Sequence, residues 1–324
     1  MTPPGRPDNE KERLKSLYMM DLLDTRDDER FERLARIARK LFSVPVAFIS
    51  LLDHNRQWLL ASQGFDIRET PRDVSFCGHA ILQRGPFIVN DTRLDERFHD
   101  NPLVTGKPHI RFYAGYPVCL PDGAIAGTVC IIDSSPHNFS EADVSLLRDL
   151  ALIVEDEFQV ISMAMTDSLT GIPNRRGFYR SGERRINALQ SNPEPFSIVY
   201  FDLDKFKPIN DLWGHAEGDE VLKIFASHLC QHLGEHDIAG RLGGDEFAVL
   251  ISRGSDTPAF LEKLQASLTD FNLRARRPYS ISYSYGVRNR IAGRCTSLPE
   301  MMSESDQIMY SDKKRKKIGQ LITK

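Results

Sequence analysis

The segment Ile238–Ile251 reads IAGRLGGDEFAVLI, and its pattern decides the fold of the second half of the chain. Two β-rich runs flank the dipeptide Gly243-Gly244, which is typical of a two-residue hairpin turn. Glycine at both positions allows positive φ angles and leaves the backbone open to close approach by a bulky ligand. Asp245 and Glu246 follow the turn directly. The segment therefore predicts a β-hairpin that presents two carboxylates at its tip.

A second acidic pair lies upstream. The run FSIVYFD ends at Asp202, where a continuous apolar strand gives way to a polar segment that contains Asp204. If this strand neighbours the hairpin, the carboxylates of Asp202 and Asp245 converge on one pair of divalent cations. Solvated loop charges are the alternative interpretation, because acidic residues near turns are common on protein surfaces.

The remaining elements of the second half alternate between helix and strand. Their order resembles βαββαβ with an additional helix in front, which predicts an α+β domain of the ferredoxin-like or palm type. The predicted elements are a helix at 178–189, a strand at 196–202, a helix at 219–233, strands at 238–242 and 246–251, a helix at 258–271, a strand at 280–287 and a helix at 299–317.

The first half shows a different pattern of short β-rich runs bounded by turn residues. It predicts a mixed α/β domain with an antiparallel sheet, preceded by a proline-containing tail at 1–9 that we expect to be disordered. The predicted elements are helices at 10–23 and 27–41 and strands at 45–53, 57–62, 87–89, 112–118 and 126–132.

A long helix at 140–165 is predicted to connect the two halves. Ser140 with Asp143 three residues later resembles a capping box. Apolar residues recur in steps of four and three, which forms a heptad stripe that could face a partner helix or pack on its own domain. The stripe consists of Leu147, Ala151, Val154, Phe158, Ile161 and Met165. The domain boundary is expected near residue 165, with the first domain at 10–160 and the second at 166–324.

Several motifs in the second half occur together and in order. DSLTGIPNRR spans 167–176, DLDKFKPIND spans 202–211 and is followed by Gly214-His215 and Gly218-Asp219, and GGDEF spans 243–247. Residues 166–324 thereby resemble a GGDEF domain, the family of diguanylate cyclases. The resemblance implies condensation of two GTP molecules to cyclic di-GMP with release of pyrophosphate, in the presence of two Mg²⁺ or Mn²⁺ ions for each active site.

The resemblance also implies roles for individual residues. Asp202, the carbonyl of Leu203, Asp245 and Glu246 correspond to the metal ligands, and Asp245 and Glu246 are the implied catalytic residues. Asn210 and Asp219 correspond to the residues that read guanine, since a carboxylate accepts hydrogen bonds from guanine N1 and N2. The implied phosphate-binding groups are Phe206, Lys207, Gly243, Gly244 and Lys313. Lys317 either replaces an expected arginine as a point charge or belongs to a solvated basic tail.

The sequence departs from the family at its product-binding motif, R-x-x-D. The corresponding residues are Gly234 and Asp237, so the arginine fork that could pair with phosphate or guanine is missing. We expect weak or absent product inhibition through this site. A degenerate protein that binds GTP or cyclic di-GMP without turnover, or one that makes a mixed cyclic dinucleotide, are the alternatives to a cyclase.

Residues 10–160 resemble a GAF domain. The resemblance rests on SFCGHAI at 75–81, NDT at 90–92, DERF at 95–98, NPLV at 101–104, IRFYAG at 110–115 and GTVCIID at 127–133. It implies a concave pocket for an unidentified small effector. Cys77 and His79 suggest a metal or chromophore site, but a metal needs three or four protein ligands and no further cluster lies nearby, so a structural role is favoured.

Composition narrows the class of protein. The chain has 324 residues, 41% hydrophobic and 27% charged, with a formal net charge of −3, which argues against a bulk nucleic-acid-binding surface. Five dispersed cysteines indicate neither a zinc site nor a disulfide framework. No segment is apolar enough over about 20 residues to span a membrane. We expect a cytoplasmic homodimer that pairs through the 140–165 helix and the GGDEF domains.

Overall fold

The protein is represented by a computed structural model that describes residues 1–25, 28–191, 195–234, 236–253, 256–290 and 297–322. Its residues divide into two compact units, Met1–Ser162 and Met163–Lys324. No helix within the described ranges combines the length and the apolar character that a membrane span requires.

The first unit contains a six-stranded antiparallel sheet in the order β3-β2-β1-β6-β5-β4. Its central strands β1 and β6 pair directly, with Ser50 opposite Thr128 and Phe48 opposite Cys130. The elements of this unit are α1 (Glu10–Met19), α2 (Glu29–Leu41), β1 (Val46–Leu52), β2 (Arg56–Gln63), β3 (Glu69–Pro71), α3 (Phe76–Ala80), β4 (Phe87–Val89), α4 (Pro102–Thr105), β5 (Phe112–Cys119), β6 (Ile125–Asp133) and α5 (Glu141–Met165).

Residues 1–9 contact the first unit, which differs from the predicted disordered tail. The backbone N–H of Thr2 donates to the carbonyl of Arg97 at 3.1 Å, and the Thr2 carbonyl lies 3.0 Å from Nε2 of His79. The side chain of Pro4 lies so close to Gly78 that a Cβ at Gly78 would approach it to 2.7 Å. Composition missed these contacts because the backbone of an extended segment can bond to a neighbouring surface without a periodic apolar pattern.

The helix α5 begins one residue after Ser140, whose hydroxyl accepts from the backbone N–H of Asp143 at 3.2 Å. Its heptad stripe is buried inside the first unit: Leu147, Val154 and Phe158 are each fully buried. The ring of Phe158 lies 5.7 Å from that of Phe31 on α2. The interpretation that this stripe faces a partner helix is therefore wrong, because the stripe packs against its own domain.

The second unit contains a four-stranded antiparallel sheet in the order β10-β7-β9-β8. This order, with helices in the connections, is the βαββαβ arrangement that the sequence predicts, and the predicted fold class is confirmed. The elements are α6 (Arg175–Ser191), β7 (Ser197–Leu203), α7 (Phe206–Trp213), α8 (His215–Gln231), β8 (Ile238–Gly243), β9 (Glu246–Ile251), α9 (Thr257–Ala275), β10 (Tyr283–Asn289) and α10 (Leu298–Ile322).

The short helix α7 was absent from the sequence prediction. It follows β7 after Lys205, which adopts a left-handed conformation with φ 60°, and it contains Pro208 in its first turn. Proline is tolerated there because the first backbone N–H groups of a helix have no partner within the helix. Gly214, at φ 86°, ends α7 and directly precedes α8.

Candidate active site

Strand pairing brings the predicted acidic residues together. On the adjacent strands β7 and β9, Asp202 lies opposite Glu246. The backbone N–H of Leu203 donates to the carbonyl of Asp245 at 3.1 Å, which extends the pairing to the hairpin turn. The two acidic pairs that the sequence indicates therefore lie at one end of the two central strands.

The turn itself requires glycine. Gly243 has φ 151° and Gly244 has φ 50°, and a Cβ added at either would meet no atom within 4 Å. Glycine is therefore needed here for its backbone conformation and because it leaves the space beside the turn open. Both glycines are exposed, whereas Asp245 and Glu246 are half-buried.

Asp202 is largely buried, with 9% of its surface exposed, and contacts the ammonium group of Lys313 on α10. Burial raises the pKa of the Asp202 carboxyl, and the nearby carboxylates of Asp245 and Asp204 raise it further while Lys313 opposes them. Lys316 also lies 3.7 Å from a carboxylate oxygen of Asp204. The carboxylates of this cluster outnumber the two lysines, and a cation would stabilise it.

Glu246 shares this environment. Burial raises the pKa of its carboxyl, as do the carboxylates of Asp202, Asp306 and Asp245, whereas a hydrogen bond from the Tyr200 hydroxyl lowers it. Tyr200 lies on β7, two residues before Asp202. The side chain of Glu246 is therefore oriented by a neighbour on the adjacent strand.

The donor set fits a hard divalent cation. Asp202, Asp245 and Glu246 supply oxygen, the ligand that Mg²⁺ prefers, and Mg²⁺ in nucleotide enzymes uses one or two carboxylates together with substrate phosphates. In the described residues, no group of three His, Cys, Asp or Glu side chains is close enough to hold a metal alone.

The residues implied for phosphate binding lie around α7 and α10. Phe206 and Lys207 are the first two residues of α7, with Phe206 packed against the core and Lys207 exposed. Lys313 contacts Asp202, as described above. Lys317 is part of α10, but its side chain lies outside the described portion. Its neighbour Lys316 donates to the Tyr283 carbonyl at 2.7 Å.

The two residues implied for guanine recognition lie on consecutive helices. Asn210 is half-buried on α7, and Asp219 is exposed on α8. Gly218, which directly precedes Asp219, lies against Asn210: a Cβ at this position would lie 1.9 Å from Oδ1 of Asn210. The glycine before Asp219 therefore leaves room for the Asn210 amide.

The remaining aspartate of the product-binding motif has structural partners. One oxygen of Asp237 accepts from the backbone N–H of Gly234 at 2.8 Å, and the other accepts from that of Ser252 at 2.8 Å. The two carboxylate oxygens thus stabilise the backbone before β8 and the backbone after β9. Such bonds to a charged acceptor are stronger than bonds between neutral groups.

Arg241 is a residue that the sequence analysis missed. From β8, its guanidinium donates to the Gly244 carbonyl at 3.0 and 2.9 Å and pairs with Asp167 at 3.0 Å. The pairing with Asp167 fixes the turn that carries Asp245 to the first motif of the second unit. The sequence signal was a lone arginine within a strand of mostly apolar and small residues, but its partner is 74 residues away.

Family models match both units. Residues 28–157 match the GAF domain, and residues 164–318 match the description "Diguanylate cyclase, GGDEF domain". The chain contains a GAF domain followed by a GGDEF domain. The acidic cluster, the glycine turn and Arg241 all belong to the GGDEF domain.

Curated relatives match between about half and three quarters of the chain. A cyclic di-GMP phosphodiesterase of Pseudomonas aeruginosa, PA2567, is 44% identical over 177 residues, which is 54% of this chain and 30% of that protein. The diguanylate cyclase DgcP of Escherichia coli is 29% identical over 261 residues, 75% of each chain. The coiled-coil and GGDEF domain of DgcB from Caulobacter crescentus, solved with c-di-GMP, is 27% identical with a TM-score of 0.48, over 52% of this chain and 91% of that one.

Proposed function

We propose that the GGDEF domain is a diguanylate cyclase, which joins two GTP molecules into cyclic di-GMP and releases two pyrophosphates. The observation that supports this most strongly is the pairing of Asp202 with Glu246 on adjacent central strands, beside the glycine turn that carries Asp245. The reaction is an in-line attack by the ribose 3′-hydroxyl of one GTP on the α-phosphorus of the other.

Two Mg²⁺ or Mn²⁺ ions would be held by Asp202, the Leu203 carbonyl, Asp245 and Glu246, and they would neutralise charge on the triphosphate. Glu246 is also proposed to accept the proton of the attacking 3′-hydroxyl at a carboxylate oxygen. The hydrogen bond from Tyr200 holds this carboxylate in place.

Phosphate binding is assigned to the start of α7 and to α10. Within the described residues, no side chain caps the N-terminus of α7, so the N–H groups of its first turn are free to bind an anion. Lys313 supplies a positive charge beside Asp202 and can move between that carboxylate and a phosphate. The open turn at Gly243 and Gly244 admits the triphosphate.

Guanine recognition is assigned to Asn210 and Asp219. The carboxylate of Asp219 can accept from guanine N1 and N2, which adenine does not offer as donors. The amide of Asn210, placed in the space that Gly218 leaves, can bond to the edge of the same base. This pair of side chains favours GTP over ATP.

Each GGDEF domain carries one such site, so that two copies must face each other for the reaction. The outward surface of α5 supports pairing through this helix, since Leu146, Ile153 and Val160 recur every seven residues and are 41%, 45% and 55% exposed. Light scattering of the Ile153→Asp/Val160→Asp variant should show monomers with cyclase activity strongly reduced. A fully active monomer would contradict the proposed dimer.

The GAF domain is proposed to regulate the cyclase through α5 after it binds a small effector. The effector stays unidentified. Cyclase assays on the full chain with a panel of cyclic nucleotides, haem, metals and oxidants would test the proposal, and a chain lacking residues 1–139 should lose the response.

The proposal is tested by incubating the protein with radiolabelled GTP and Mg²⁺ and separating the products by chromatography. Cyclic di-GMP and pyrophosphate are expected. A protein that retains bound GTP without product would instead be a degenerate member of the family, and a mixed product would indicate different base selection.

A second candidate is a role in binding or breaking down cyclic di-GMP, because the relative with 44% identity is a phosphodiesterase. Labelled cyclic di-GMP added to the same protein distinguishes the two. Release of a linear dinucleotide without any synthesis from GTP would favour the second candidate.

A further inference from the structure

Two cysteines meet inside the core of the GAF domain. Cys77 on α3 and Cys130 on β6 lie with their sulfur atoms 3.6 Å apart, and they are 1% and 0% exposed. The hydroxyl of Tyr113 on β5 donates to the Cys77 sulfur at 3.3 Å. The proposed cyclase reaction uses neither thiol.

The surroundings of the pair are unusually polar for a sheet interior. Ser50 and Thr128, both fully buried, lie opposite each other on β1 and β6 with their hydroxyl oxygens 3.1 Å apart. Gly115 makes room for the hydroxyl of Tyr113, because a Cβ there would approach that oxygen to 2.2 Å. Burial of polar groups in a core costs free energy unless they bond to each other, so the hydrogen bonds within this cluster allow it to be buried.

We propose that Cys77 and Cys130 form a redox-active pair that a small hydroperoxide converts into a disulfide bond. A disulfide has a sulfur–sulfur distance of about 2.05 Å, so that the two atoms must approach by about 1.5 Å. The helix α3 spans only Phe76–Ala80, and a small shift of this one turn towards β6 closes the distance.

The two thiols are not equivalent. Burial raises the pKa of Cys77, but hydrogen bonds from Cys130, Ser50, Thr128 and Tyr113 outweigh burial and lower that pKa below its usual range. For Cys130, burial and the adjacent Cys77 raise the pKa instead. The contacts agree with this difference, since Cys77 accepts from the Tyr113 hydroxyl whereas the Cys130 thiol donates to the Phe48 carbonyl at 3.6 Å. Cys77 is therefore assigned as the nucleophile, because the thiolate is the reactive form, and Cys130 as the resolving thiol.

The chemistry balances with the hydroperoxide as the only oxidant. The Cys77 thiolate attacks the outer oxygen, an S–O bond forms, the O–O bond breaks, and an alcohol or water leaves with a proton. Cys130 then attacks the sulfenic sulfur, the S–S bond forms, and the S–O bond breaks as water departs with the Cys130 proton. The two thiols lose two electrons, which the hydroperoxide gains.

Peptide mapping of the full chain tests this pairing directly. The protein is treated with hydrogen peroxide, denatured in the presence of N-ethylmaleimide and digested with trypsin. Trypsin places Cys77 in peptide 73–84 and Cys130 in peptide 112–148, which also contains Cys119. We expect a linked pair of these peptides, enriched at least about tenfold over untreated protein and cleaved by dithiothreitol.

Two variants assign the link. Cys119→Ser should retain the linked peptides, and Cys130→Ser should lose them while Cys77 accumulates as sulfenic or sulfinic acid. A link that disappears in Cys119→Ser, or a wild-type peptide 73–84 that stays unlinked after peroxide treatment, would overturn the proposal. The wild-type and Cys119→Ser digests decide the question even if Cys130→Ser does not fold. Failure of the cyclase assay would leave this result unaffected, since the mapping needs no GTP.

Discussion

Both domains are built on an antiparallel sheet, but they place their polar chemistry differently. In the GAF domain, the central strands β1 and β6 carry Ser50, Thr128 and Cys130 in the middle of the sheet, fully buried. In the GGDEF domain, the central strands β7 and β9 are mostly apolar and place their acids at one end. A large charged ligand such as GTP can reach a strand end, whereas the polar groups in the middle of the GAF sheet are fully buried and closed to such a ligand.

This contrast yields a general expectation for substitutions. At the strand end of the GGDEF domain, a polar side chain can change without loss of core packing, so activity should fall while stability is retained. In the sheet interior of the GAF domain, the same kind of change should alter stability and leave turnover intact.

Asp245→Asn removes a charge from the proposed metal site. Metal neutralisation of phosphate charge contributes several kcal/mol to the transition state, so kcat should fall by about 100-fold or more. The thermal midpoint should stay within about 2 °C of wild type, since Asp245 lies outside the core. Asp270→Asn on α9, which pairs with Arg274 at an exposed site, is the matched control. Equal activity of the two variants would contradict the assignment.

Asp237→Ala tests this contrast within the catalytic domain, because the Asp237 carboxylate accepts hydrogen bonds from the backbone there. Loss of two hydrogen bonds to its carboxylate should cost about 2 kcal/mol of unfolding free energy, measured by denaturant titration. Inhibition by added cyclic di-GMP should be the same as in wild type. A submicromolar product affinity that disappears in this variant would show that Asp237 binds product after all.

Gly218→Ala should displace the side chain of Asn210, although none of the residues proposed to contact GTP is itself replaced. Because the new Cβ would lie 1.9 Å from Oδ1 of Asn210, the amide must rotate away, and the KM for GTP should rise by about tenfold. Alanine stabilises a helix by about 1 kcal/mol relative to glycine, so the stability of the variant should not fall. A purely structural role for Gly218 would instead predict a loss of stability. Ser227→Ala, exposed on the same helix, should leave the KM unchanged.

Tyr113→Phe tests the sheet interior of the GAF domain. It removes the hydroxyl that donates to Cys77, which should cost about 1 kcal/mol of stability. Fluorescence of Trp58, which lies in the GAF domain, reports the unfolding, and Tyr116→Phe on the same strand is the control. A change in GTP turnover without any change in stability would contradict the expectation that the sheet interior of the GAF domain affects stability and not turnover.

Sequence patterns predicted the hairpin at Gly243-Gly244 and the order of elements in the second half, because turn chemistry and strand periodicity are local. They left the convergence of Asp202 with Asp245 conditional, since it depends on β7 and β9 being neighbours. The partner of Arg241 was out of reach for the same reason, because Asp167 precedes it by 74 residues.

The heptad stripe on α5 shows where periodicity is insufficient. Spacing identifies an apolar face, but it does not say whether that face covers its own domain or another chain. The contact of Phe158 with Phe31 decides for the domain. The sequence did not predict the proximity of Cys77 to Cys130 either, because the two thiols are 53 residues apart along the chain, with β4 and β5 between them.

The ion pair between Arg241 and Asp167 has a practical consequence for protein engineering. A chimaera that joins this catalytic domain to a foreign input domain must keep its splice point upstream of Thr166, because residues 167–174 hold the Asp245 turn through Arg241 and β8. A fusion made a few residues later would keep the whole GGDEF segment but would lose the ion pair between Asp167 and Arg241 that holds its turn. Such a hybrid would keep its overall fold, but the position of its Asp245 turn would be less well defined.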